Sequence, residues 1–180
     1  FLVTLALYCL IGIVQRGWTR DYVFSGIVIG LATATKFSAL PLLAPLAVAC
    51  LVRVVRGDPF IAVFLRGLLA VVWIGLAFAA GQPYAFLDFA NYYRDIDEQS
   101  HMVREAGRLP YTNQYICVSK YGYDLAQLVL WGMAPPLGLV AIWATASRLV
   151  AVVRERSATD LVLLAWVVPF FLITGWFDVK

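Results

Sequence analysis

The sequence predicts an all-α fold, a polytopic transmembrane helical bundle with one outward-facing, interfacial amphipathic helix. Three observations carry this. Of 180 residues, 62% are hydrophobic and only 14% charged, a profile outside that of soluble domains. The uncharged runs 67–87 and 125–147 are each long enough to cross about 30 Å of hydrocarbon at about 1.5 Å per helical residue. Between them, the polar stretch 81–122 holds five of the eleven acids (Asp88, Asp95, Asp97, Glu98 and Glu105) and the only histidine, His101.

In chain order, spans are expected at about 1–15, 22–36, 39–53, 60–80, 123–147 and 161–176, all within one transmembrane domain. The first reaches Arg16 and Arg20. A single helix over 21–56 would be about 54 Å long, too long for a simple crossing. Pro41 and Pro45 also lack the N–H that a helix interior needs. A tight helical hairpin with its apex near 36–40 is therefore expected. Gly57-Asp58-Pro59 marks a turn inside the connection 53–66, and the next span starts there. Pro135-Pro136 predicts a kink or break within 123–147, and 148–160 is a short connection before the last span. The chain opens on Phe1 inside an apolar run and is expected to be an internal piece of a larger membrane protein, without a signal peptide.

Charge placement predicts sidedness. Connections 16–21, 53–66 and 148–160 share a side if each helix crosses once. They carry eight arginines (16, 20, 53, 56, 66, 148, 154 and 156) against four acids. Short Arg-rich connections face the cytoplasm, so 81–122, Lys36 and Lys180 are expected on the extracytoplasmic face. The net charge of +3 is met by anionic headgroups beside the spans, and nucleic acid is not an expected partner. Cys9, Cys50 and Cys117 form neither a metal-ligand spacing nor a disulfide framework.

Within 81–122, Phe86, Phe89, Tyr93, Ile96 and Val103 recur at helical steps, with Ser100 filling the gap. Such a helix lies along a membrane surface with its aromatics in the interface. Possible ion pairs at i,i+4 are Arg94–Glu98, Asp97–His101 and His101–Glu105. Two readings of the segment stand side by side, a surface rest between spans and a functional loop, the latter favoured by its forty-two residues. The carboxylates are candidates for a general base or for metal ligation, or else solvated faces and salt-bridge partners, and their spacing names no pair. His101 reads as an oriented base or as a structural histidine, and no second histidine completes a zinc site.

Lys36 stands between two uncharged runs, in GLATATKFS over 30–38. An ammonium so close to hydrocarbon snorkels or finds an anion. A lipid phosphate, simple snorkelling and an internal carboxylate are the three alternatives. Gly26, Gly30, Ala32 and Ala34 allow close helix approach beside it.

Four blocks taken together, GLATATKFSALP at 30–41, GQPYAFLDF at 81–89, PYTNQY at 110–115 and WGMAPPLGL at 131–139, resemble the central part of a bacterial GT-C-type membrane glycosyltransferase. The family is related to dolichyl-phosphate-mannose–protein mannosyltransferases and aminoarabinose lipid A transferases. The resemblance implies a multi-pass enzyme of the bacterial inner membrane. Such an enzyme moves a sugar from a polyprenyl-phosphate carrier to a protein, lipid or glycan hydroxyl on the extracytoplasmic face, with no cofactor. It implies a carrier-phosphate role for Lys36, with Arg108, and a substrate cavity including Gln99, Tyr111, Gln114 and Tyr115. The family's catalytic carboxylate follows its first transmembrane helix. No catalytic residue or metal ligand is therefore expected within these residues, and the acids of 81–122 do not inherit that role. The sequence ICVSKY at 116–121 departs from the family pattern. The competing readings are a secondary transporter and a non-catalytic membrane scaffold.

Overall fold

The computed structural model describes residues 1–107 and 109–179. Nine α-helices are found among them, with no strand: α1 Leu2–Arg16, α2 Thr19–Thr35, α3 Leu43–Val55, α4 Phe60–Gly81, α5 Tyr84–Leu87, α6 Phe89–Arg104, α7 Gly122–Gln127, α8 Pro135–Glu155 and α9 Ala158–Trp176. Four stretches are long and apolar enough to cross a membrane: Phe37–Val55, Phe60–Gly81, Pro135–Glu155 and Ala158–Trp176; Leu2–Arg16 is a shorter apolar helix. The protein is an all-α, multi-pass, membrane-spanning helical bundle. It divides into two compact units, one of Phe1–Leu87 with Leu149–Val167, the other of Asp88–Arg148 with Val168–Lys180.

In the first unit the chain turns where its backbone chemistry permits. Helix α2 ends as Lys36 takes an extended conformation (φ −151°, ψ 116°), and a 3₁₀ turn over Phe37–Leu42 leads into α3. Pro41 sits in that turn and Pro45 in the first turn of α3, where an N–H would lack an intrahelical partner in any case. The two prolines therefore open the helix.

Helices α1 and α4 each pack against both α2 and α3, which closes a ring in the order α1–α2–α4–α3. The segments before and after Lys36 consequently stand at opposite corners of the ring, and the expected tight hairpin is opened out around its neighbours. The reason lies in α2 and α4, which run parallel in close approach. A Cβ at Gly26 would collide with the carbonyl oxygen of Ala70, and one at Gly30 with that of Ile74. Small residues let backbones meet where no hydrophobic gain is available between lipid-bathed helices. Leu10, Ile13, Tyr22, Ile29, Leu42 and Val162 form the buried centre of this unit.

The stretch 123–147 is divided. Helix α7 runs into a π-turn over Leu128–Gly132, and α8 begins at Pro135. Ala134, at the break, has φ 61°, outside the right-handed helical region that a proline also disfavours for the residue before it. Helix α8 then continues to Glu155 and takes in Arg148 and Arg154, so the connection expected over 148–160 shrinks to 156–157.

Candidate functional site

One end of the first unit is built from arginines. Arg56 Nη1 donates to the Val14 carbonyl at 2.6 Å, Arg53 Nη1 to the same oxygen at 3.4 Å, and Arg66 Nη1 to the Gly17 carbonyl at 3.0 Å. These are the carbonyls that the end of α1 leaves without intrahelical donors, and cations there also meet the negative pole of the helix. Gly17 closes α1 in the left-handed conformation (φ 68°), and the Arg53 guanidinium lies where a side chain on Gly17 would stand. Two carboxylates neutralise part of the cluster: Asp21 binds Arg16 at 3.1 Å and Asp58 binds Arg53 at 2.6 Å. The Arg20 guanidinium stacks on Trp18, 4.0 Å from the ring centroid. Connections far apart in sequence thus converge on one helix terminus.

Lys36 occupies the opposite end of α2. It is exposed, and it forms no ion pair with any described residue. Its backbone is spoken for, with its N–H donating to the Ala32 carbonyl and its carbonyl accepting from Ala39, both at 2.9 Å. The backbone from which the ammonium projects is therefore held in place at the end of α2. Among the described residues no carboxylate pairs with it.

The other expected site residues belong to the second unit. Tyr111, Gln114 and Tyr115 share a 3₁₀ turn over Pro110–Tyr115. Thr112 makes that turn: its buried Oγ1 accepts from the Gly107 N–H at 3.0 Å and the Leu109 N–H at 3.2 Å, and donates to the Leu109 carbonyl at 2.8 Å. The Tyr111 hydroxyl donates to Met102 Sδ at 3.1 Å, which sets the turn beside α6. Gln99, exposed, lies one turn before Met102 on the same helix face. Tyr115 packs edge-on against Tyr123, with ring centroids 5.9 Å apart. Arg108 lies outside the described residues, as does Lys180.

Helix α6 has the expected apolar face, and no residue of it is buried; Phe89 and Tyr93 stack on each other while largely exposed. Both ring nitrogens of His101 face carboxylates, with Nδ1 3.4 Å from Glu105 and Nε2 3.7 Å from Asp97. Arg94 approaches Asp95 at 4.0 Å rather than Glu98. Half-exposed pairs of this kind contribute little, about 0.2–0.5 kcal/mol each. Among the described residues no three His, Cys, Asp or Glu side chains are grouped to hold a metal ion.

No family model, curated protein or solved structure matches the chain.

Sequence reasoning missed how the end of the 81–122 segment is tied down. Lys120 Nζ binds Asp178 Oδ1 at 2.9 Å and lies 4.5 Å from the centroid of the Trp176 ring. The Tyr121 hydroxyl donates to the Leu172 carbonyl at 3.2 Å, and the Val103 carbonyl accepts from Asp178 and Val179. These partners lie some fifty or more positions apart, and no local pattern announces them.

Proposed function

We propose that this chain is part of a GT-C-like membrane glycosyltransferase that moves a sugar from a polyprenyl-phosphate carrier to a hydroxyl acceptor. In this reading the arginine end faces the cytoplasm of a bacterial inner membrane. Lys36 and residues 81–122 face the other side, where α6 rests its uncovered apolar face in the interface. The observation that carries the reading is Lys36, an exposed lysine that forms no ion pair with a described residue, at the end of a helix opposite the arginine cluster. An anionic headgroup from outside the protein is the partner its chemistry asks for. The four sequence blocks that resemble the family add the identity of that headgroup.

The chemistry follows from the roles. A carboxylate outside these residues takes the proton of the acceptor hydroxyl as its oxygen attacks the anomeric carbon. The bond from that carbon to the phosphate oxygen breaks, and the carrier phosphate leaves with the electron pair. Lys36, with Arg108, offsets the charge gathering on the phosphate. Gln99, Tyr111, Gln114 and Tyr115 form part of the cavity wall that orients sugar and acceptor.

The break between the π-turn and α8 favours a second reading, because interrupted helices also build transporter sites. Incubating the parent protein in vesicles with radiolabelled polyprenyl-phosphate sugar separates the two. Label appearing on a hydroxyl acceptor supports transfer. Label taken up into the lumen without reaching an acceptor supports transport and overturns the proposal.

A further inference from the structure

At the arginine end of the first unit, the end of α3 and the α8–α9 turn enclose a groove of about 380 Å³. Its walls are apolar, chiefly Leu51, Val55, Val152 and Leu161, and its charged lining residues are Arg56 and Arg156. We infer that this groove binds one anionic glycerophospholipid from the leaflet at that end, with its phosphate between the two arginines and an acyl chain along the apolar wall.

The order of the groups along each helix matches a lipid. Leu51, Val152 and Leu161 stand about one helical turn into their helices from Arg56 or from the turn at Arg156, so the wall runs about 5–8 Å deeper than the charges. A headgroup at the helix ends with a chain beneath it meets that gradient. A free phosphate would use only the upper half, and a neutral lipid only the lower.

The charges also favour an anion. Arg56 is fixed by its bond to the Val14 carbonyl, an uncharged partner that leaves the guanidinium's positive charge uncompensated. Arg156 forms no ion pair with a described residue, and its backbone is held in the turn at φ 52°. No carboxylate lines the groove. Arginine suits a phosphate oxygen pair because its planar fork donates two parallel bonds. The inference is independent of the sugar-transfer reading, since it concerns the other end of the bundle.

The test is native mass spectrometry of the full chain in neutral detergent, titrated with phosphatidylglycerol or with phosphatidylcholine. The expected result is one retained phosphatidylglycerol, preferred about fivefold or more over phosphatidylcholine, as a single arginine near a lipid surface supplies. Arg156→Gln removes the preference and Arg156→Lys keeps most of it. Val55→Ser, at a position 78% exposed and so tolerant of change, lowers retention of both lipids. Circular dichroism confirms that each variant retains its helix content. Equal retention of the two lipids, an unchanged preference in Arg156→Gln, or displacement of the lipid by inorganic phosphate at matched concentration would overturn the inference.

Discussion

The guanidinium of Arg56 donates to the carbonyl oxygen of Val14, 2.6 Å away and forty-two positions earlier in the chain. This one bond joins the end of α3 to the end of α1, and with Arg53 and Arg66 it turns a run of basic connections into a clamp.

The clamp predicts an order of costs. Arg56 is exposed, so Arg56→Gln is expected to destabilise by about 1 kcal/mol, below the ~1.5–3 kcal/mol of a charged hydrogen bond because solvent competes for the guanidinium. Arg53→Gln is expected to cost more, about 2 kcal/mol, because it also strands the partly buried Asp58. Adding Asp58→Asn should recover part of that loss. Thermal denaturation in detergent, followed by tryptophan fluorescence, gives the order. Equal losses for the two arginines, or no recovery with Asp58→Asn, would contradict the clamp.

The close approach of α2 and α4 predicts that two glycines behave in opposite ways. Gly30→Leu drives a side chain into the Ile74 backbone and is expected to cost about 3 kcal/mol or more. Gly75→Ala, with nothing within 4 Å of the added Cβ, is expected to stabilise by about 0.5–1 kcal/mol. The same unfolding measurement decides. Tolerance of Gly30→Leu would mean that the two helices are not in backbone contact.

Thr112 predicts a local effect. Thr112→Val leaves the Gly107 and Leu109 amides without their acceptor, at a cost of about 1–3 kcal/mol confined to the turn. Hydrogen exchange at those two amides should rise about tenfold or more, with exchange in α1–α4 unchanged. Unaltered exchange at Gly107 and Leu109 would remove Thr112 as the organiser of the turn that carries Tyr111, Gln114 and Tyr115.

Orientation is checked with a native residue. Cys117 is exposed in the 81–122 segment, which the proposal places outside, whereas Cys9 and Cys50 are partly covered within helices. A membrane-impermeant maleimide added outside intact cells should label the protein, and Cys117→Ala should abolish the label. Labelling that requires opening the cells would invert the proposed topology.

Much of the fold is legible because membranes impose simple rules. Pro59 opens the span expected over 60–80 and Gly81 with Pro83 closes it, and α4 occupies Phe60–Gly81. The spacing of Phe89, Tyr93 and Ile96 shows α6, and the i,i+4 carboxylates of His101 follow from it. Which helices touch is less legible. Gly26 and Gly30 announce a close neighbour without naming α4, and the ring order depends on surfaces that periodicity does not rank. The arginines are visible as charge, but their bonds to Val14 and Gly17 depend on where α1 ends in space. Lys36 stands out for a physical reason: a lone ammonium flanked by uncharged residues demands a partner, and no described residue pairs with it.

That missing partner is the direct test of the account. Binding of a polyprenyl phosphate is measured for the native sequence, Lys36→Ala and Lys36→Arg. Losing a charged hydrogen bond to phosphate is expected to weaken binding about tenfold or more in Lys36→Ala, with most of the affinity kept by Lys36→Arg. Turnover should fall with it. Carrier affinity and turnover both unchanged in Lys36→Ala would contradict the assignment of this lysine to the carrier phosphate, and with it the proposed site of transfer.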